Sequence, residues 1–153
     1  MKSKFIDYYI EIAEVTAKLS YATRLQVGAV IVKGHKILAT GYNGMPSGWD
    51  NTCEYVADVH PGDPRYDYNN FSKELKTKEE VLHAESNALA KVASSTESSE
   101  GSTMFFTHAP CLQCAKMIYQ SGIQTLYYKN TYRDQAGLDF LEKSKVNVIR
   151  YNN

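Results

Sequence analysis

The sequence predicts an α/β domain of three layers, α/β/α, on a five-stranded mixed sheet whose third to fifth strands run parallel. Three observations carry this. From residue 103 onward, strand-like and helix-like runs alternate with short joints (103–107, 111–121, 125–129, 134–144 and 146–151). Successive strands joined through a helix run parallel, with right-handed crossovers. Upstream, two β-rich runs flank Lys33-Gly34-His35, a gap that suits a hairpin and hence an antiparallel pair. An amphipathic stretch at the start, with the later helices, supplies cover for both faces of such a sheet.

The elements follow in order. Phe5, Tyr8, Ile12, Val15 and Leu19 recur at steps of three and four, which predicts a helix over 4–19 with these residues on its buried stripe. Runs 26–32 and 36–41 form the opening strand pair. From 43 to 76, Gly44, Pro46, Gly48, Pro61, Gly62 and Pro64 break any period, and Tyr55, Tyr66, Tyr68 and Phe71 are interspersed. That composition predicts a long loop insertion packed on its own aromatics rather than a linker. Ala84, Ala88, Leu89 and Val92 share one face of a helix over 83–93; Thr77 and Glu80 have the capping-box spacing, which would allow an earlier start. Residues 94–101 are a polar surface loop. There is no internal repeat.

A chain of 153 residues and 17.2 kDa suits a single domain, 1–153, with an adequate core. Seventeen basic residues balance seventeen acidic ones, so no electrostatic footprint for nucleic acid is expected. The longest apolar runs are short, as in Ala29-Val30-Ile31-Val32, which argues against a membrane span and a cleaved signal peptide. Three cysteines, Cys53, Cys111 and Cys114, are odd in number, which argues for a reducing, cytoplasmic setting rather than a disulfide framework.

Two motifs carry chemistry. His83-Ala84-Glu85 opens one predicted helix, and Pro110-Cys111-Leu112-Gln113-Cys114 opens the next after a strand. Cysteines at i and i+3 in a first helical turn point the same way, and the helix start favours their thiolates. Pro110 suits a first turn, where its missing amide hydrogen costs nothing. With His83, Cys111 and Cys114 supply three donors for a tetrahedral Zn²⁺, leaving an open position of the catalytic kind that activates water. Glu85 is placed for proton transfer. Each half has a bland reading: the C-x-x-C could be two buried thiols or half a structural zinc site, and His83 could merely cap or pack. A thioredoxin-like redox pair normally follows the first strand of its domain, whereas this pair follows the third.

The combination H-x-E with P-C-x-x-C matches the signature of zinc nucleobase deaminases. From about residue 17 to 150 the chain resembles the deoxycytidylate deaminase family, within the cytidine deaminase-like superfamily. Beyond the zinc motifs, the resemblance rests on Gln26-Val27-Gly28-Ala29-Val30-Ile31-Val32, the turn Gly41-Tyr42-Asn43-Gly44-Met45-Pro46-Ser47-Gly48, and Gly122-Ile123 followed by Tyr127-Tyr128 and Tyr132. It implies hydrolysis of dCMP to dUMP and ammonia, supplying dUMP for thymidylate synthesis. Glu85 would shuttle protons from water to cytosine N3 and to the amine leaving C4. Asn43 would hold the deoxyribose, and Arg24 and Tyr132 would contact the phosphate or base edge. The residues alone leave Arg24 open as a solvated surface arginine and Tyr132 as core filling. The resemblance further implies a homo-oligomer, a hexamer, activated by dCTP and inhibited by dTTP, with Mg²⁺ accompanying the effector near Gly44 and Met45.

The chain departs from the family in reading Ser20-Tyr21-Ala22-Thr23-Arg24 where several members carry Asp-Pro. The insertion holds only Cys53 and His60 as candidates for the second zinc of some phage members, too few for a tetrahedron. Cys53 is read as an ordinary thiol, and His35 and His108 as non-ligands, with His108 near the site. Two rival functions are a deaminase of bases in tRNA or single-stranded nucleic acid, and a non-catalytic nucleotide-binding relative. Net neutrality weighs against the first, and Glu85 beside three donors against the second.

Overall fold

The computed structural model describes residues 1–68 and 72–152; Phe71, among the aromatics of the insertion, lies outside the described residues. Strands β1 (Gly28–Lys33) and β2 (Lys36–Tyr42) pair antiparallel. The two residues between them, Gly34 and His35, both have positive φ, 53° and 68°, the conformation of a turn whose twist matches its strands. An added pair, β3 (Glu54–Asp58) and β4 (Lys73–Thr77), precedes α2 (Ala84–Ala93), and α1 (Ser3–Ala17) opens the chain. The alternating half supplies β5 (Thr103–His108), α3 (Leu112–Gln120), β6 (Thr125–Asn130), α4 (Ala136–Lys143) and β7 (Asn147–Arg150).

The main sheet has the order β2-β1-β5-β6-β7. β1 is antiparallel to β2 and β5, whereas β5, β6 and β7 are parallel; its third to fifth strands run as the alternation predicts. Because strand side chains alternate between faces, Ala29, Ile31, Met104, Phe106 and Leu126 pack with α2, α3 and α4. Val30, Val32 and Phe105 pack on the other side with Tyr9, Ile10 and Ala13 of α1. Helices on both faces explain the near-continuous apolar strands, and burying each large side chain contributes about 1.5–3 kcal/mol.

Helix α1 keeps only part of the predicted stripe inward: Phe5 and Ile12 pack, partly buried, at the edge of the core. Tyr9, Ile10, Ala13, Thr16 and Ala17 are buried, while Tyr8, Val15 and Leu19 are each more than half exposed. Steric fit decides this. A Cβ at Gly28 would lie 2.0 Å from the carbonyl oxygen of Ala13 and 2.7 Å from the nitrogen of Ala17. β1 therefore touches the helix backbone, and only the face carrying small residues can approach so closely.

Residues 43–76 are not one long loop, because β3 and β4 pair from Glu54↔Thr77 to Asp58↔Lys73. Lys73-Glu74-Leu75-Lys76-Thr77 has little strand propensity of its own. The pairing is flanked by charge: Arg65 contacts Asp63 and Glu74 at 2.6 Å each, and Lys76 contacts Glu74 at 2.9 Å. Thr77 ends β4, so α2 does not begin at a capping box there; its N-cap is His83. Pro110 precedes the N-cap of α3, Cys111, and so lies just outside the first turn. Among the described residues no helix is long and apolar enough to cross a membrane.

Candidate active site

The starts of α2 and α3 converge beside the carboxyl ends of β2 and β5, the side of an α/β sheet where ligands bind. His83 and Cys111 are the two N-caps, both with extended backbone and neither making a side-chain capping bond. Ser, Thr, Asp or Asn would stabilise each end by about 1 kcal/mol. The sequence forgoes that, and the two side chains face one another instead.

Cys111 Sγ lies 3.6 Å and Cys114 Sγ 3.4 Å from His83 Nδ1. All three donor atoms fall within 4.8 Å of one another, the one such group among the described residues. A tetrahedral zinc, with Zn–N of about 2.0–2.1 Å and Zn–S of about 2.3 Å, requires N···S separations of about 3.6 Å. The donor set therefore fits zinc in both chemistry and spacing, and three donors leave one position open. One of the two thiols already leans toward ionisation: hydrogen bonds from Cys114 and His83 pull Cys111 down to about 3. The same contact with Cys111, then burial, pushes Cys114 up, so one thiolate is favoured before any cation adds its field. Cys111 also raises the pKa of His83.

Glu85, in the first turn of α2, is only 4% exposed. Burial pushes its carboxyl up to about 7, with its own backbone amide and His83 pulling the other way. Its position is set by close packing. A Cβ at Gly41 of β2 would meet the carbonyl oxygen of Ala84 at 2.1 Å and the nitrogen of Ala88 at 2.6 Å, so the first turn of α2 rests directly on the strand.

These groups open onto a cavity of about 350 Å³ that Arg24, Asn43 and Tyr132 also line, with His83, Glu85 and Cys111. Cys114 sits behind it, buried. Arg24 is exposed and donates from Nη1 to Thr77 Oγ1 at 3.0 Å. Asn43 accepts from Val27 N and donates to Leu25 O, both at 2.8 Å, which leaves one amide proton of its side chain uncommitted. Tyr132 stands on the β6–α4 connection, 41% exposed.

Gly44 and Met45 do not line the cavity. Gly44 exchanges backbone hydrogen bonds with Leu82 at 3.1 and 2.8 Å, and Met45 packs on Ala22, Cys53 and Val81. Cys53 is a buried free thiol with Sγ 3.4 Å from Asn51 O, and neither it nor His60 joins a metal-competent group among the described residues. His108 lines the cavity, and burial lowers its pKa. Sequence reasoning missed Glu54 and Thr77, which reach the cavity from the insertion. Glu54 belongs to no recognisable motif and Thr77 stands out only by its capping-box spacing; the pairing of β3 with β4 sets the two opposite one another.

Comparison with known proteins agrees with this geometry. The family model for the cytidine and deoxycytidylate deaminase zinc-binding region matches residues 3–130. The chain is 34% identical over 156 residues to deoxycytidylate deaminase of Enterobacteria phage T4, covering 85% of this chain and 80% of that protein. With the human deoxycytidylate deaminase it shares 33% over 137 residues, 84% of this chain and 66% of the other. The crystal structure of dCMP deaminase from the cyanophage S-TIM5 in complex with dCMP and dUMP superposes with a TM-score of 0.83 at 40% identity, covering 99% of both chains. A family match that spans both helix starts, with relatives this similar along most of the chain, makes this protein a member of the cytidine and deoxycytidylate deaminase family.

Proposed function

We propose that this protein is a zinc-dependent hydrolase converting dCMP and water to dUMP and ammonia. The observation that carries the reading is that His83, Cys111, the buried Glu85 and Arg24 line one cavity, with the Cys114 donor atom within 4.8 Å of those of His83 and Cys111. The similar cyanophage protein, whose structure holds dCMP and dUMP, supports it. So does the cavity volume of about 350 Å³, within the range of about 300–1,000 Å³ usual for small-molecule sites.

Zinc held by His83, Cys111 and Cys114 supplies Lewis acidity that makes water nucleophilic near neutral pH. The protein's own part belongs to Glu85. It takes one proton from water as oxygen adds to C4 and delivers it to N3, then takes the remaining hydroxyl proton and delivers it to the departing amine. The C4–N bond breaks, a C4–O bond replaces it, and ammonia leaves. Arg24 faces the phosphate, for which a planar cation with several donors is suited. Asn43 holds the deoxyribose with its uncommitted amide proton, and Tyr132 packs on the base edge or phosphate.

The wider reading is that dUMP from this reaction feeds thymidylate synthesis in the cytoplasm. dCTP would activate and dTTP would inhibit, with Mg²⁺ accompanying the triphosphate near Gly44 and Met45, in a hexamer. The apolar surface of α1 and the residues just after it, with Tyr8, Val15 and Leu19 exposed, supports association between copies.

An ammonia-release assay tests the central statement. A hydrogen-bonded ion pair to phosphate contributes enough that kcat/KM for dCMP should exceed that for deoxycytidine or cytidine by about 10- to 100-fold. Equal or faster turnover of the nucleosides contradicts the assignment.

A further inference from the structure

The two-stranded insertion bears on the cavity through one register pair, Glu54 and Thr77. Glu54 is 7% exposed, and its Oε1 accepts from Thr23 N at 2.9 Å and Arg24 N at 3.1 Å. Two successive backbone N–H groups converging on one oxygen form an anion-binding concavity, here filled by a side chain of the protein itself. Thr77 Oγ1, opposite on β4, accepts from Arg24 Nη1 at 3.0 Å. Arg24 is therefore gripped at its backbone by one strand and at its guanidinium by the other.

Residues 18–27, between α1 and β1, belong to neither helix nor strand. The segment is tied near its ends, where Ser20 Oγ donates to Asn43 O at 2.6 Å and Val27 N donates to Asn43 Oδ1 at 2.8 Å. At Thr23 and Arg24 it is held by Glu54. A carboxylate on the wall of a cavity for a dianionic phosphate opposes binding by repulsion, so its presence there requires a role that outweighs the cost.

We propose that Glu54 is a positioning residue for phosphate recognition: it fixes the Thr23–Arg24 backbone so that the Arg24 guanidinium, steadied by Thr77, is presented to the substrate phosphate. This rests on the dCMP reading. The insertion is on this account part of the substrate site rather than a surface decoration, and Glu54 acts through Arg24 without touching the reacting atoms.

Steady-state kinetics of the zinc-loaded protein test it, with inhibition by dUMP and by deoxyuridine measured alongside. Glu54→Ala should raise KM for dCMP and the inhibition constant of dUMP about tenfold, because a part-buried pair of amides loses its acceptor and Arg24 its placement. The kcat and the inhibition constant of deoxyuridine, which lacks the phosphate, should stay within about twofold. Glu54→Gln keeps an acceptor oxygen for both amides and should restore dUMP affinity to the unmodified level or better, since a repelling charge is gone.

Thr77 is exposed at the end of β4, so Thr77→Val tests the same grip on Arg24 without removing a buried group. It should weaken dUMP about threefold while leaving deoxyuridine unchanged. Equal weakening of dUMP and deoxyuridine, a fall in kcat at constant KM, no change in Thr77→Val, or a Glu54→Gln variant as impaired as Glu54→Ala each overturns the proposal. The last result would mean that the carboxylate meets the substrate itself. Failure of the unmodified protein to prefer dCMP is a separate result and overturns the function instead.

Discussion

Glu85→Gln should keep its zinc and lose about two to four orders of magnitude in kcat. Glutamine has nearly the shape of glutamate, so the first turn of α2 and the strand contact at Gly41 are undisturbed. An amide cannot take a proton from water and return it to a leaving amine. Glu85 is 4% exposed and lines the cavity, and water there is a far weaker proton acceptor and donor than a positioned carboxyl, so the missing transfers stay missing. The loss should appear in kcat with little change in KM, the mark of an interaction made in the transition state. Stability should not fall, since a neutral isostere at a buried site sheds the desolvation cost of a carboxylate. Zinc content, a melting curve and a dCMP saturation curve check this together. A variant keeping more than about a tenth of the activity would refute Glu85 as the proton carrier.

The second large effect belongs to Cys114. Alanine there leaves His83 and Cys111 as a two-donor site, and zinc affinity should fall about a thousandfold or more. Activity should disappear with the metal. Loss of a buried sulfur from the core also lowers stability, and Cys53 provides the comparison. Cys53 and Cys114 are 1% and 2% exposed, yet Cys53 lies in a separate small cluster with Ala22 and Val81. Cys53→Ala should therefore show a similar packing penalty with full zinc content and full turnover. Metal analysis after dialysis, beside the two melting temperatures, separates the effects; equal zinc loss in both variants would contradict the assignment of donors.

What could be read in advance follows from where each signal resides. The zinc donors are legible because helix-start geometry ties spacing to direction: i and i+3 in one first turn, and a histidine at the start of the neighbouring helix. The parallel half of the sheet is legible because strand-like and helix-like runs alternate there with short joints, the pattern of strands connected through helices. The inward face of α1 was hidden, since two apolar stripes of different bulk lie side by side on it. The choice between them depends on the absence of a Cβ at Gly28, a fact about the partner strand.

The insertion was hidden for a related reason. β4 is charged and gains its strand geometry from pairing with β3, so local composition points to loop. Glu54 and Thr77 face one another through that pairing and both line the cavity. Gly44 and Met45 adjoin Asn43 in sequence but lie outside the cavity, with Leu82, Ala22, Cys53 and Val81 as their backbone and packing partners.

The account stands on one zinc ion held by an imidazole and two sulfurs. Elemental analysis combined with X-ray absorption at the zinc edge addresses it directly. The expected result is one zinc per chain, with two sulfurs at about 2.3 Å, one imidazole nitrogen at about 2.0–2.1 Å and one further light atom. A shell of four sulfurs, a shell without sulfur, or protein free of stoichiometric zinc would contradict it.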